Sequence, residues 1–173
     1  MAEPPGPAVV RAVILGVGNR LRGDDAVGCI LCDELKGTGK SPIANCQLPI
    51  APDVFVFDCG STPENYVQPV ADRNPTRILV VDCCDYGAKP GEFRTFSRPE
   101  IEQLSYGLLS THTLPLTLTI EMLTLQTRAT IELLGIQPER IEFGAELSEP
   151  VRRALPALLE FLQNWARAEA AVR

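Results

Sequence analysis

At 173 residues, 45% hydrophobic and 22% charged, the chain suits one globular domain able to bury a single core. Its formal charge of -6 and pI of about 4.9 give no electrostatic reason to expect nucleic acid or an anionic membrane surface as partner. No stretch reaches transmembrane length, so no membrane partner is expected either.

In chain order, the start carries a glutamate and three prolines where a secretion signal has basic residues and an apolar run. Residues 1–8 are read as a disordered leader and residues 9–170 as a single domain of a cytoplasmic protein. "VVRAVILGV", residues 9–17, predicts a buried strand, and a helix follows from Asp25 to about Leu35, with Val27, Ile30, Leu31 and Leu35 at helical spacing. "DVFVFDCGST" predicts a second strand and a turn from Cys59 to Thr62, then a helix from Pro63 to about Arg73. "RILVVDCCDYG" is a buried strand whose aliphatic run leads directly to Asp82. "KPGEFRTFS" predicts a turn at Pro90-Gly91 and a short strand with Phe93 and Phe96 on one face. "SRPEIEQLS" predicts a brief helix with Pro99 in its first turn. "LPLTLTIEMLTLQT" alternates like a strand and also fits helical stripes; its length and Pro115 favour a helix to about Arg128. "ATIELLGIQ" is a strand, and Ser148 is placed to cap a last helix through Trp165.

Strands alternating with helices predict an α/β domain with a mostly parallel sheet, whose ligands bind where the strand-to-helix loops gather. Those loops are residues 18–25, 58–62 and 82–87, and each contains acids. The first, inside "GVGNRLRGDDAVG", looks like a phosphate cradle but fails the test. The third position of G-x-G-x-x-G is Leu21, and Asp24 and Asp25 occupy the positive helix start that a phosphate needs. Asp24 and Asp25 read equally as helix caps or as metal or proton-transfer groups, with Asp24 the cap and Asp25 the metal contact. Asp82 and Asp58 close their strands at the same edge, and Asp85 reads as a turn residue.

His112, the one histidine, sits in the polar "STHTLP" at a predicted helix entrance. Two carboxylates and an imidazole make a three-ligand set for a divalent transition metal with positions left for substrate. A Ser-His-Asp hydrolase lacks its G-x-S-x-G elbow. A Cys-His pair using Cys59, Cys83 or Cys84 stays open. The six cysteines, including the lone C-x-x-C of Cys29 and Cys32, read as buried, reduced apolar residues.

Together, "ILGVGNRLRGDDAVG", "DCGSTPEN", "RILVVDCCDYGAKPGEF", "STHTLPL" and "LLGIQP" resemble the nickel-dependent hydrogenase maturation endopeptidases. The resemblance runs from residue 13 to about 165 and is nearest the formate-hydrogenlyase type. It implies a three-layer α/β domain with a twisted, mostly parallel five-stranded sheet and helices on both faces. It also implies an endopeptidase that removes a C-terminal extension from the precursor of a nickel–iron hydrogenase large subunit. The family's metal positions fall on Asp25, Asp82 and His112, the first being commonly Glu. These three are the expected catalytic and metal-contacting residues, and the general base is left open between Asp25 and Asp82. The nickel is expected to come with the precursor, and other divalent ions are expected to occupy the site in vitro. The family loop D-G-G-T is here Asp58, Cys59, Gly60 and Ser61, expected to recognise the precursor, with Cys59 in a position that, if it needs positive φ, suits glycine. The competing readings are an inactive precursor- or nickel-binding maturation factor and a nucleotide-using α/β enzyme.

Overall fold

Runs of Val, Ile, Leu and Phe, buried on both sides, form the strands of one sheet in the computed structural model, which describes residues 11–38, 53–104 and 116–168. The strands are β1 (Ala12–Val17), β2 (Val54–Gly60), β3 (Arg77–Cys83), β4 (Phe93–Ser97) and β5 (Thr130–Ile136). Their order is β2-β1-β3-β5-β4, parallel throughout except for β4, which pairs antiparallel at one edge. The expected five-stranded, mostly parallel α/β architecture is what is found.

The two-residue period divides the core. Ala12, Ile14, Leu79, Val81, Leu134 and Ile136 face α1 (Val27–Leu35) and α5 (Glu149–Arg167). Val13, Leu15, Ile78, Val80, Ile131 and Leu133 face α2 (Val67–Ala71), α3 (Arg98–Leu104) and α4 (Leu116–Gln126). On α5, Val151, Leu155, Leu158, Leu162 and Trp165 are buried, the stripe expected of an amphipathic helix. No described helix is long and apolar enough to cross a membrane.

Three local expectations need correcting. Phe93 and Phe96 do not share a face: three residues apart on a strand they point oppositely, Phe93 edge-on to Phe161 of α5 and Phe96 edge-on to Tyr86 on the other side. The first predicted helix begins with a 3-10 turn, Gly23–Ala26, before α1 proper; the predicted helix at Pro63 likewise opens with a 3-10 turn, Pro63–Tyr66. Ser148 occupies the N-cap position of α5, but its hydroxyl makes no capping bond and has no partner among the described residues. The expected leader, residues 1–8, lies outside the described residues, as does Pro115.

Candidate active site

The parallel strands bring their carboxyl ends to one edge. The chain leaves β1 toward β2 on one side and reaches β3 on the other, so β1 and β3 flank the crevice where α/β folds place ligands. The "GVGNRLRGDDAVG" turn is fitted to this point by close approach. A methyl group on Gly28 would overlap the carbonyl oxygens of both Val17 and Val81, so only glycine lets α1 settle onto the ends of β1 and β3. Gly18, at φ +148°, meets the Asp25 backbone in the same way, and the Asn19 N–H bonds back to the Asp25 carbonyl at 3.1 Å. The glycines serve backbone packing, and the acids are held over the crevice.

Asp82 lies near the end of β3, and Asp25 in the Gly23–Ala26 turn between β1 and α1. Asp25 is 1% exposed and accepts the Asn19 N–H at 3.2 Å through Oδ2. Asp82 is 5% exposed, continues the Ile78–Val80 row facing α4, and accepts the Cys83 N–H at 2.8 Å through Oδ1. Their shared neighbour is the Cys83 thiol, which is pushed far up by burial and then by the negative charges of Asp82, Asp25 and Asp24. Two buried carboxylates at the carboxyl ends of these strands make a setting that suits a cation. His112 lies outside the described residues; the chain enters α4 four residues after it, on the face toward which Asp82 turns. Among the described residues alone, no three His, Cys, Asp or Glu side chains form a metal-holding group.

Asp24, beside Asp25 and fully buried, does a different job. Its Oδ1 accepts the Ser148 N–H at 2.7 Å, and its Oδ2 accepts the N–H groups of Glu139 and Arg140 at 2.8 and 3.1 Å. It does not cap its own helix. It holds the β5–α5 loop and the start of a helix 124 residues downstream. Backbone bonds from Asp24 to the Arg140 carbonyl and from Gly23 to the Ala145 carbonyl complete that tie.

The Asp58–Ser61 loop begins at a bulge. Gly16 pairs with Asp58 and Val17 with Gly60, which leaves Cys59 as the extra residue. Cys59 is buried, its thiol directed at the Phe57 carbonyl, and the positive φ falls on Gly60, at +54°. Cysteine therefore fits where the family has glycine. The Thr62 N–H closes the turn on the Cys59 carbonyl at 3.3 Å, and Gly18 bonds to the Gly60 carbonyl at 2.9 Å. Asp58 accepts the Gly60 N–H at 3.2 Å and is paired to Arg20 at 2.5 Å. Burial raises its pKa, but Arg20, the Cys29 thiol and the Gly60 N–H outweigh that and hold it below the ordinary carboxylate range.

Two organising residues went unread in sequence. Arg20 also grips Asp33 with both nitrogens, at 2.7 and 3.1 Å. Gln137, at the end of β5, accepts the N–H groups of Tyr86 and Ala88 and donates to Asp85, fixing the loop after Asp82. Asp85 also accepts the Gly87 N–H, the turn role expected of it. Arg20 lies within "GVGNRLRGDDAVG" and Gln137 within "LLGIQP", but neither stretch shows which residues they bond, so spacing gave no signal for these ties.

The thiols argue against a Cys-His nucleophile. Burial pushes Cys59 and Cys83 far up and Cys84 up to about 12, whereas such a nucleophile needs a depressed value. Cys29 and Cys32 are likewise buried, their thiols directed at the Gly18 and Phe57 carbonyls.

The hydrogenase maturation protease family model matches residues 44–165, a span containing Asp58, Asp82 and His112. The hydrogenase 3 maturation protease of Escherichia coli K12 is 31% identical over 153 residues, covering 88% of this chain and 89% of its own. The crystal structure of the nickel–iron hydrogenase maturation protease HycI from Thermococcus kodakarensis KOD1 superposes with TM-score 0.75 at 32% identity, covering 92% of this chain and 94% of the other. The solution structure of the endopeptidase HycI from Escherichia coli gives TM-score 0.72 at 29% identity, covering 90% and 91%. Five strands in matching architecture, the glycine turn with its acids, and these identities over nearly the whole chain lead to one assignment: the chain belongs to the hydrogenase maturation protease family and is a peptidase.

Proposed function

We propose that the chain removes a C-terminal extension from the nickel-loaded precursor of a nickel–iron hydrogenase large subunit, in the cytoplasm, and that the nickel carried by this substrate is what it recognises. The observation that carries the reading is the pair Asp25 and Asp82, two buried carboxylates, one in the turn that follows β1 and one near the end of β3, the strands that flank the crevice. Two carboxylates in a site closed to water favour a cation far more than the same pair in solution. His112, just ahead of α4, supplies the imidazole of the three-ligand set. Nickel in the substrate supplies Lewis acidity toward the scissile carbonyl. Asp25 or Asp82 accepts the proton of the attacking water, and the Asp58–Ser61 loop contacts the precursor beside the cleft. An empty precursor brings no cation to the acids and is bound weakly, which makes cleavage a check on metal loading.

The test incubates the purified protein with nickel-loaded and nickel-free large-subunit precursor and follows the released extension by mass spectrometry. Release from the loaded form alone, lost in His112→Ala and Asp82→Asn, is the expected result. Equal cleavage of both forms, or full activity in those variants, overturns the mechanism. Tight binding of the loaded precursor without cleavage identifies a maturation factor that only holds its partner.

A further inference from the structure

The Arg20 guanidinium ties its own turn to α1 and to the end of β2 through side-chain bonds. It pairs with Asp58 at the end of β2, grips Asp33 on α1 with both nitrogens, and reaches the Cys29 carbonyl at 3.4 Å. Arg22, two residues on, turns the other way, its Nε donating to the Ile141 carbonyl. Arg20 is thus a cation set between two acids, Asp33 and Asp58, on the β1–β2 side of the crevice. We propose that Arg20 is a positioning residue for substrate selection, which holds the Asp58–Ser61 turn against the Asp25 turn so that the two meet the precursor as one surface.

The inference rests on the function proposed above. Its physical basis is the contrast between backbone and side-chain ties. The Gly18 bond to the Gly60 carbonyl fixes where the turn begins, but it sets neither the direction of the Asp58 carboxylate nor that of the turn beyond the Cys59 bulge. A planar fork bonded to Asp33 on one side and Asp58 on the other does set it. Without it, Asp58 keeps the Gly60 N–H and the Cys29 thiol and faces the charge of Asp33 uncompensated. Arg20, Cys29 and Cys32 from the first turn and α1, Cys59 from its own strand and Tyr66 from the turn after it interact electrostatically with Asp58, while Asp33 acts on Arg20 and Cys32, and Lys36 on Cys32 and Cys59.

Arg20→Ala and Arg20→Lys are compared with wild type on nickel-loaded precursor, with thermal unfolding measured alongside. Arg20→Ala is expected to raise KM about tenfold with kcat within about twofold, because the lost interaction serves binding and not the chemical step. Arg20→Lys is expected to recover part of KM, since an ammonium reaches one carboxylate but cannot fork across two. Independently of activity, the Asp58 carboxyl carbon followed by NMR is expected to titrate at higher pH in Arg20→Ala. An unchanged KM, a fall in kcat at constant KM, or an unmoved Asp58 titration overturns the proposal. Should Arg20→Ala fail to fold, Arg20→Gln and Arg20→Lys carry the same comparison. Nickel-loaded precursor left uncut by wild type sinks the proposed function and with it the substrate role of Arg20, while the titration still judges the tie.

Discussion

Replacing Asp24 by Asn exchanges one carboxylate oxygen for an amide NH2 at nearly constant volume, yet it strikes the bonds that hold the β5–α5 loop. Oδ2 accepts two backbone N–H groups and Oδ1 accepts the Ser148 N–H, all on a side chain closed to water. An amide keeps the pair by turning its oxygen toward Glu139 and Arg140, and then sets its NH2 against the Ser148 N–H. A bond to a charged acceptor contributes about 1.5–3 kcal/mol, and leaving its buried donor unpaired adds a cost of similar size. The two remaining bonds weaken as the acceptor loses its charge, while the relief of burying a charge offsets part of the loss. The net expectation is a destabilisation of about 2–4 kcal/mol. For a domain of this size that lowers the melting temperature by about 5–15 °C. Urea unfolding followed by circular dichroism measures the first quantity, and amide exchange at Ser148 locates it. A variant within about 0.5 kcal/mol of wild type, or Ser148 exchange no faster than before, refutes the reasoning.

Two further outcomes follow from the same edge of the sheet. Gly28→Ala sets a methyl against the carbonyl oxygens of Val17 and Val81, which are backbone and cannot swing aside. The expected cost is at least about 1–3 kcal/mol in thermal or urea unfolding, with cleavage lost as α1 lifts Asp25 from the crevice, and wild-type stability contradicts the close approach. The thiols predict a base-sensitive fold. Burial holds Cys32 and Cys84 at about 12, so the folded state keeps protons that an unfolded thiol releases near about 8.5. The unfolded state then binds fewer protons than the folded one, so stability falls as pH rises above about 8.5, by about 1.4 kcal/mol per pH unit for each such thiol. Flat unfolding midpoints between about pH 8 and 10 argue against it, as does rapid alkylation of Cys32 or Cys84 in the native protein.

Much of the fold was legible in the sequence because its signals are local. The aliphatic run before Asp82 and the alternation of "DVFVFD" mark strands whatever surrounds them, and the stripe from Val151 to Trp165 marks a helix by its period alone. The ambiguous "LPLTLTIEMLTLQT" was settled as a helix by length, and α4 is found at Leu116–Gln126. Phe93 and Phe96 were misread because a side-chain spacing was judged without the strand's two-residue period.

At the site, sequence alone shows acids at the sheet's edge: Asp58 and Asp82 follow apolar runs, and the Asp24–Asp25 pair after the glycine turn argues against a phosphate cradle. What each acid does was decided by tertiary structure. Asp24 and Asp25 are adjacent and chemically identical, yet one carboxylate meets the N–H groups of Glu139, Arg140 and Ser148, and the other sits beside Asp82 and Cys83. Cys59 needs no left-handed backbone, because the bulge places that conformation one residue later, at Gly60. The ties of Arg20 and Gln137 carried no sequence signal, because their partners lie up to 52 residues away and meet them only once the strands are paired. Hydrophobic period is a property of neighbours along the chain, whereas a hydrogen-bond partner across loops exists only when the sheet has set the loops side by side.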